Sequence, residues 1–136
     1  MKVFYETQAT AVGGRSGHTE LDDGSLGFDL TAFGSDKAGV NPEQLFALGY
    51  AACFDSALNL VAQKMELPLT SSKTSVKVGI GQEMSGAFKL QAHITVYTTG
   101  LTSEQAKALV ARAHEVCPYS NATRNNIEVT LESYAQ

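Results

Sequence analysis

Tryptophan is absent from this chain, proline occurs only three times and cysteine only twice. Two cysteines are too few for the disulfide framework of a small secreted domain. Basic runs are missing as well. The ten Lys and Arg residues are scattered among 14 Asp and Glu, giving a net charge of -4, and nucleic-acid binding would need a basic stripe. The N-terminal MKVFYETQAT has neither the apolar stretch nor the small-residue cleavage site of a secretory signal. One long apolar run exists, LFALGYAACFDSALNLV (Leu45 to Val61). Asp55, Ser56 and Asn59 interrupt it, so it reads as a core helix and not a membrane span. These absences predict a cytoplasmic protein, in which the two cysteines are thiols or a transient redox pair. His18, His93 and His114 stand at no metal-ligand spacing, and neither a phosphate loop nor a GxSxG elbow is present. No metal or cofactor is expected.

What remains is the composition of an ordinary folded protein, 43% hydrophobic and 18% charged over 136 residues, enough for one domain spanning 1–136 with a real core. Val3–Thr10 is β-prone, and Gly13–Gly17 (GGRSG) is a flexible connector. His18–Leu21 and Leu26–Leu30 flank Asp22-Asp23-Gly24-Ser25 as a hairpin. Gly34–Val40 is a loop. Asn41-Pro42-Glu43-Gln44 starts a helix, with Asn as cap, Pro at the first position and Glu at the positive end of the dipole. That helix should reach about Met65, before Pro68. It is apolar nearly all round, so other protein should surround it, either a wrapped sheet or a second copy.

Two alternating stretches follow, one with Val76, Val78 and Ile80 on a face and one with Phe88, Leu90, Ala92, Ile94 and Val96. Glu83–Gly86 is the turn between them. Thr102-Ser103-Glu104-Gln105 is a capping box opening a second helix that runs to about Val116. SNATRNN reads as a polar connector, and Ile127, Val129 and Leu131 mark a last strand. The pattern predicts an α+β fold with antiparallel sheets.

The two cysteines differ in setting. Cys53 lies inside the apolar helix, and Cys117 lies where the second helix stops before Pro118. A thiolate in an apolar interior is disfavoured, so a reactive Cys53 needs a cation. None lies within a helical turn of it. Arg15, in its glycine-flanked loop, is the leading candidate, because a guanidinium stays charged when desolvated and its fork can bind a thiolate and a carboxylate together. An arginine drawn inward needs a partner charge, and Glu43 can supply one. Glu43 and Cys53 are ten residues apart, about 15 Å along a helix and on different faces. Either Arg15 spans that gap or a second chain contributes, which favours a homodimer. The alternatives are plain: two packing cysteines, an exposed hairpin arginine and a dipole-facing Glu43. A disulfide needs Cα atoms within about 7 Å, and the spacing of Cys53 and Cys117 permits one without demonstrating it.

The segments NPEQLFALGYAACFDSAL (Asn41–Leu58), CPYSNATRNNIEV (Cys117–Val129) and GGRSG with the following Asp22–Gly24 resemble the Ohr/OsmC family of thiol peroxidases, on the Ohr side. Order and spacing agree over essentially the whole chain. The resemblance implies an intertwined α+β homodimer with sheets wrapped around a long buried central helix and active sites at the interface. It implies reduction of organic hydroperoxides, including fatty-acid and alkyl peroxides. By position, Cys53 matches the peroxidatic cysteine and Cys117 the resolving one. Arg15 matches the arginine that stabilises thiolate and peroxide, and Glu43 the acid that holds it. A disulfide of Cys53 with Cys117 and recycling by a dithiol such as a lipoylated protein are implied in the same way. One departure is Asn125-Asn126, where the family pattern suggests a glycine-containing turn. Three other readings stand beside this one: an OsmC-type peroxidase of broader preference, a redox sensor, and a non-enzymatic dimeric binding domain for hydrophobic ligands.

Overall fold

The computed structural model describes residues 1–136 and divides into two compact units, Met1–Leu45 and Phe46–Gln136. In the first, β1 (Ala9–Val12), β2 (His18–Leu21) and β3 (Gly27–Asp29) form an antiparallel sheet in that order. The Asp-Gly hairpin falls where the sequence places it: Gly24 takes the left-handed φ of +74° and donates its N–H to the Leu21 carbonyl. The first strand is shorter than expected. Residues 1–8 lie outside any strand and are exposed, because no neighbouring strand pairs with them.

Helix α1 (Pro42–Lys64) begins in the first unit and continues through the second. Its start is a reciprocal cap: Gln44 N–H donates to Asn41 Oδ1, and Asn41 N–H to Gln44 Oε1, each at 2.8 Å. Two backbone donors that the helix itself leaves free are thereby satisfied.

In the second unit, β4 (Ser71–Gln82) and β5 (Phe88–Thr99) form a long antiparallel hairpin. Helices α2 (Ser103–Val116) and α3 (Pro118–Thr123) then cross to β6 (Glu128–Ala135). The capping box is present at Thr102 and Gln105. Two expectations are corrected here. The sheet is mixed, since β6 runs parallel to β5. A parallel partner requires a crossover, and α2 with α3 supplies it. The supposed connector SNATRNN contributes its first four residues to α3, which Pro118 opens at the first helical position. The turn after α3 has Asn125 at φ +60°. Asparagine tolerates that left-handed conformation, so it takes the place a glycine was expected to hold.

Ala92, Ile94 and Val96 of β5, Tyr50, Phe54, Leu58 and Val61 of α1, and Ala106, Leu109 and Ala113 of α2 make the core of this unit. Helix α1, at 23 residues, is long and apolar enough to cross a membrane, yet its polar residues are tied to protein. Asp55 Oδ1 accepts from the Ser72 and Thr74 hydroxyls at 2.9 and 2.8 Å, and Asn59 donates to Ser72 Oγ at 3.0 Å. The chain itself covers one side of this helix; Leu48 and Leu60 remain exposed.

Candidate active site

Within Met1–Leu45, Arg15 sits on a single 3-10 turn, Gly14–Ser16, and not on the loose connector its sequence suggests. Gly13 opens the turn at φ +83°, and Gly17 closes it by donating to the Gly14 carbonyl. A Cβ on Gly17 would lie 1.8 Å from the Val12 carbonyl oxygen, so only glycine fits there. The turn presents the guanidinium to Glu43 in the first turn of α1, and two parallel hydrogen bonds of 2.8 and 2.6 Å join them. Bidentate pairing fixes the plane of the guanidinium as well as its position.

The Arg15 hydrogen bond lowers the Glu43 carboxyl below its usual range against a smaller opposing effect of burial, and Glu43 in turn raises Arg15. Both groups are therefore charged at neutral pH. The pair's contribution is present above the ordinary carboxyl value of 4.5 and is lost as pH falls through the lowered folded one. Arg15 is nearly half exposed, so the pair adds little to stability. Its consequence is an oriented cation.

Within Phe46–Gln136, the two sulfurs come together: Cys117 Sγ lies 3.6 Å from Cys53 Sγ, and both residues are free thiols. Their burial differs. Cys117, at the helix end, is fully buried, whereas Cys53, in the apolar run, is half-buried. Cys117 belongs to the buried core of this unit, while Cys53 is only partly buried against it. Burial pushes the Cys53 thiol above its ordinary 9.0, the Tyr119 backbone N–H opposes this by favouring the thiolate, and the adjacent Cys117 sulfur pushes it up again. No cation of this unit acts on it.

Sequence reasoning missed Tyr119 beside the sulfurs. Tyr119 packs its ring against Phe46 and Tyr50, with centroids 6.1 and 5.6 Å apart. Its phenol reaches over Gly49, where a Cβ would come within 2.6 Å of the oxygen. The isolated glycine in the helix was the available signal, since a mid-helix glycine usually has a packing reason. The parts played by His114, considered only as a metal ligand, and by Ser120 and Thr123, read as connector, were missed as well. These side chains form a hydrogen-bonded chain with Tyr50: His114 Nδ1 is 2.8 Å from Ser120 Oγ, and the Tyr50 hydroxyl is 2.9 Å from Ser120 Oγ and 3.2 Å from Thr123 Oγ1. Burial, helped by Arg124 and opposed by Glu115, lowers His114. No local pattern could reveal this chain, because Ser120 and Thr123 lie 70 and 73 residues from Tyr50.

The first unit holds an oriented cation, and the second holds a pair of close thiols. No group of His, Cys, Asp and Glu is arranged to hold a metal.

Comparison with known proteins gives a consistent picture. Residues 34–132 match the family described as OsmC-like protein. The organic hydroperoxide resistance protein OhrB of Bacillus subtilis is 44% identical over 132 residues, covering 95% of this chain and 97% of that one. The organic hydroperoxide resistance protein of Xanthomonas axonopodis pv. citri is 46% identical over 136 residues, covering 96% and 94%. A crystal structure of an organic hydroperoxide resistance protein from Elizabethkingia anophelis, with thiocyanate bound, superposes with a TM-score of 0.94. It is 46% identical and fully covers both chains.

Proposed function

The chain belongs to the OsmC-like family, alongside its organic hydroperoxide resistance proteins, and on that premise we propose that it is a thiol-dependent peroxidase that reduces organic hydroperoxides to alcohols. The observation that carries this reading is the 3.6 Å separation of the Cys53 and Cys117 sulfurs. Cys53, the more accessible thiol, is the peroxidatic residue. Its thiolate attacks the terminal oxygen of ROOH, the O–O bond breaks, and RO⁻ leaves to be protonated as ROH. Cys53 becomes a sulfenic acid. The Cys117 thiol then condenses with it, releasing water and forming the disulfide. A dithiol reopens the disulfide by two exchanges, leaving as its own cyclic disulfide and returning both thiols. A lipoylated protein or dihydrolipoamide-like molecule has the required adjacent thiols.

Residues 46–136 supply no cation to Cys53, and the raised thiol needs one. Arg15, held by Glu43, fills that role, from the same chain or from a second copy. The whole of 1–136 acts as one OsmC/Ohr-like domain in the cytoplasm, where the reductant keeps both cysteines as thiols. It works as a homodimer: the uncovered side of α1, with Leu48 63% exposed, is an apolar face suited to a second copy. A single-chain mass in sedimentation at micromolar concentration would exclude the dimer.

Apolar side chains near Cys53, among them Phe46, Tyr50 and Phe54, favour a hydrophobic R group. Steady-state consumption of tert-butyl hydroperoxide and hydrogen peroxide, with dihydrolipoamide as reductant, tests the assignment. The expected result is turnover with a clear preference for the organic peroxide. Equal rates would point to the broader OsmC-type preference, and no turnover with either would remove the peroxidase reading.

A further inference from the structure

Cys117 closes α2 and opens α3, and its backbone is held from both sides. Its N–H donates to the Ala113 carbonyl at 2.8 Å, and its carbonyl accepts from Asn121 N–H at 2.9 Å. These bonds make α2 and α3 one hairpin, but they do not tie that hairpin to the helix that bears Cys53. Two groups do: the Tyr119 backbone N–H, which bonds to the Cys53 sulfur, and the Tyr50 phenol. Tyr50, three residues before Cys53, meets Ser120, three residues after Cys117, and also Thr123. On the outer side of the hairpin the Arg124 guanidinium donates to the His114 carbonyl and to Asn121.

The protons in this chain have one arrangement that makes every contact a hydrogen bond. Thr123 donates its proton to the Ser120 carbonyl at 3.1 Å, so its oxygen accepts from Tyr50. Tyr50 has then spent its only proton and accepts from Ser120. Ser120 in turn accepts from His114, which carries its proton on Nδ1. The order runs from His114 through Ser120 and Tyr50 to Thr123. Tyr50 and Ser120 are fully buried and Thr123 nearly so, so water cannot replace a lost partner.

We propose that this chain is a latch that positions Cys117 against Cys53 and thereby sets how fast and how firmly their disulfide closes. Ser120, Tyr50, Thr123 and His114 are positioning residues in this account, and none touches the reacting sulfurs. The bond requires the sulfurs to close from 3.6 Å to about 2.05 Å, a movement small enough to leave both helices in place. A thiol held this near its target reacts at a high effective concentration, and misplacing it by about 1 Å can cost up to a hundredfold. Without the latch the hairpin keeps its own hydrogen bonds but is registered on α1 only by apolar packing and the Tyr119 N–H on Cys53, which is a looser hold. The kinetic half of the proposal rests on the peroxidase reading; the equilibrium half does not.

Ser120→Ala and Tyr50→Phe in the full chain test the proposal, the second keeping the ring in case the first does not fold. The dithiol–disulfide equilibrium is measured in dithiothreitol redox buffers by alkylation and mass. The expected change is about tenfold toward the dithiol, or about 30 mV less reducing. Dimedone trapping after one equivalent of an organic hydroperoxide reads the closing step, and its first-order rate should fall about tenfold. A purely structural role would lower thermal stability and leave the potential unmoved, so wild-type potential and closing rate in a folded variant would overturn the latch. If peroxide fails to oxidise wild-type Cys53, the peroxidase reading falls, and the dithiothreitol equilibrium still decides this proposal.

Discussion

Replacing Cys53 by serine is expected to end peroxide turnover, with a loss on the order of a thousandfold or more, as for removal of other catalytic nucleophiles. Serine keeps the volume and the helix, so the fold should survive. Its hydroxyl does not ionise near neutral pH, and oxygen is a far weaker nucleophile toward a peroxide bond than a thiolate. The check is steady-state consumption of tert-butyl hydroperoxide beside a circular dichroism spectrum. A folded Cys53→Ser protein with wild-type turnover would place the chemistry elsewhere. The effect should exceed that of Cys117→Ser, since without Cys117 a small external thiol can still reduce the sulfenic acid of the half-buried Cys53.

Arg15→Ala should give the second largest loss, and its size should depend on pH. Burial is the first cause raising Cys53 above its ordinary 9.0, so without a cation only about one per cent or less is thiolate at pH 7. A guanidinium beside the sulfur restores about one to three pKa units. The peroxide-attack rate constant at pH 7 should therefore fall about 10- to 1000-fold. The sign follows from the protonation states. Arg15 stays charged throughout, Glu43 stays ionised below its usual range, and the thiol alone titrates across pH 6–10. Between the wild-type thiol pKa and the higher one of the variant, the deficit should shrink about tenfold per pH unit. Stopped-flow measurement of Cys53 oxidation from pH 6 to 10 gives the curve. A deficit that stayed constant across that range would mean that Arg15 binds peroxide and leaves the thiol pKa alone. Glu43→Gln should reproduce part of the loss, because the guanidinium stays charged but loses its bidentate anchor.

The parts of the fold that were legible in the sequence are those whose cause is local. The Asn41 cap, the Thr102–Gln105 box and the Asp-Gly turn are set by side chains within a few residues of the backbone they satisfy. The alternation of Val76, Val78 and Ile80 gave β4 its inward face because period 2 is a property of the strand itself. The direction of β6 was not legible, since parallel and antiparallel partners share that period. Helix α3 was missed for a related reason: its inward residues are Ser120 and Thr123, which read as polar connector until Tyr50 is seen to receive them. The Arg15–Glu43 pair was reached by asking what a buried thiolate needs, and the structure joins the two side chains. That Cys117 is the more buried cysteine was not legible, because a helix end is buried or open according to what folds back over it.

The unequal burial of the two cysteines gives the proposed disulfide a direction. Once the two sulfurs are bonded, only the Cys53 side has any exposure, and Cys117 is sealed in the core. An incoming thiolate can reach one sulfur of the two, so the mixed species it forms is on Cys53 and the departing group is Cys117. The core, and not the reductant, thus selects the regiochemistry of reopening. The first thiol to be regenerated is the one that never faces solvent, and the reductant remains tethered at the rim of the core until its own second thiol releases it.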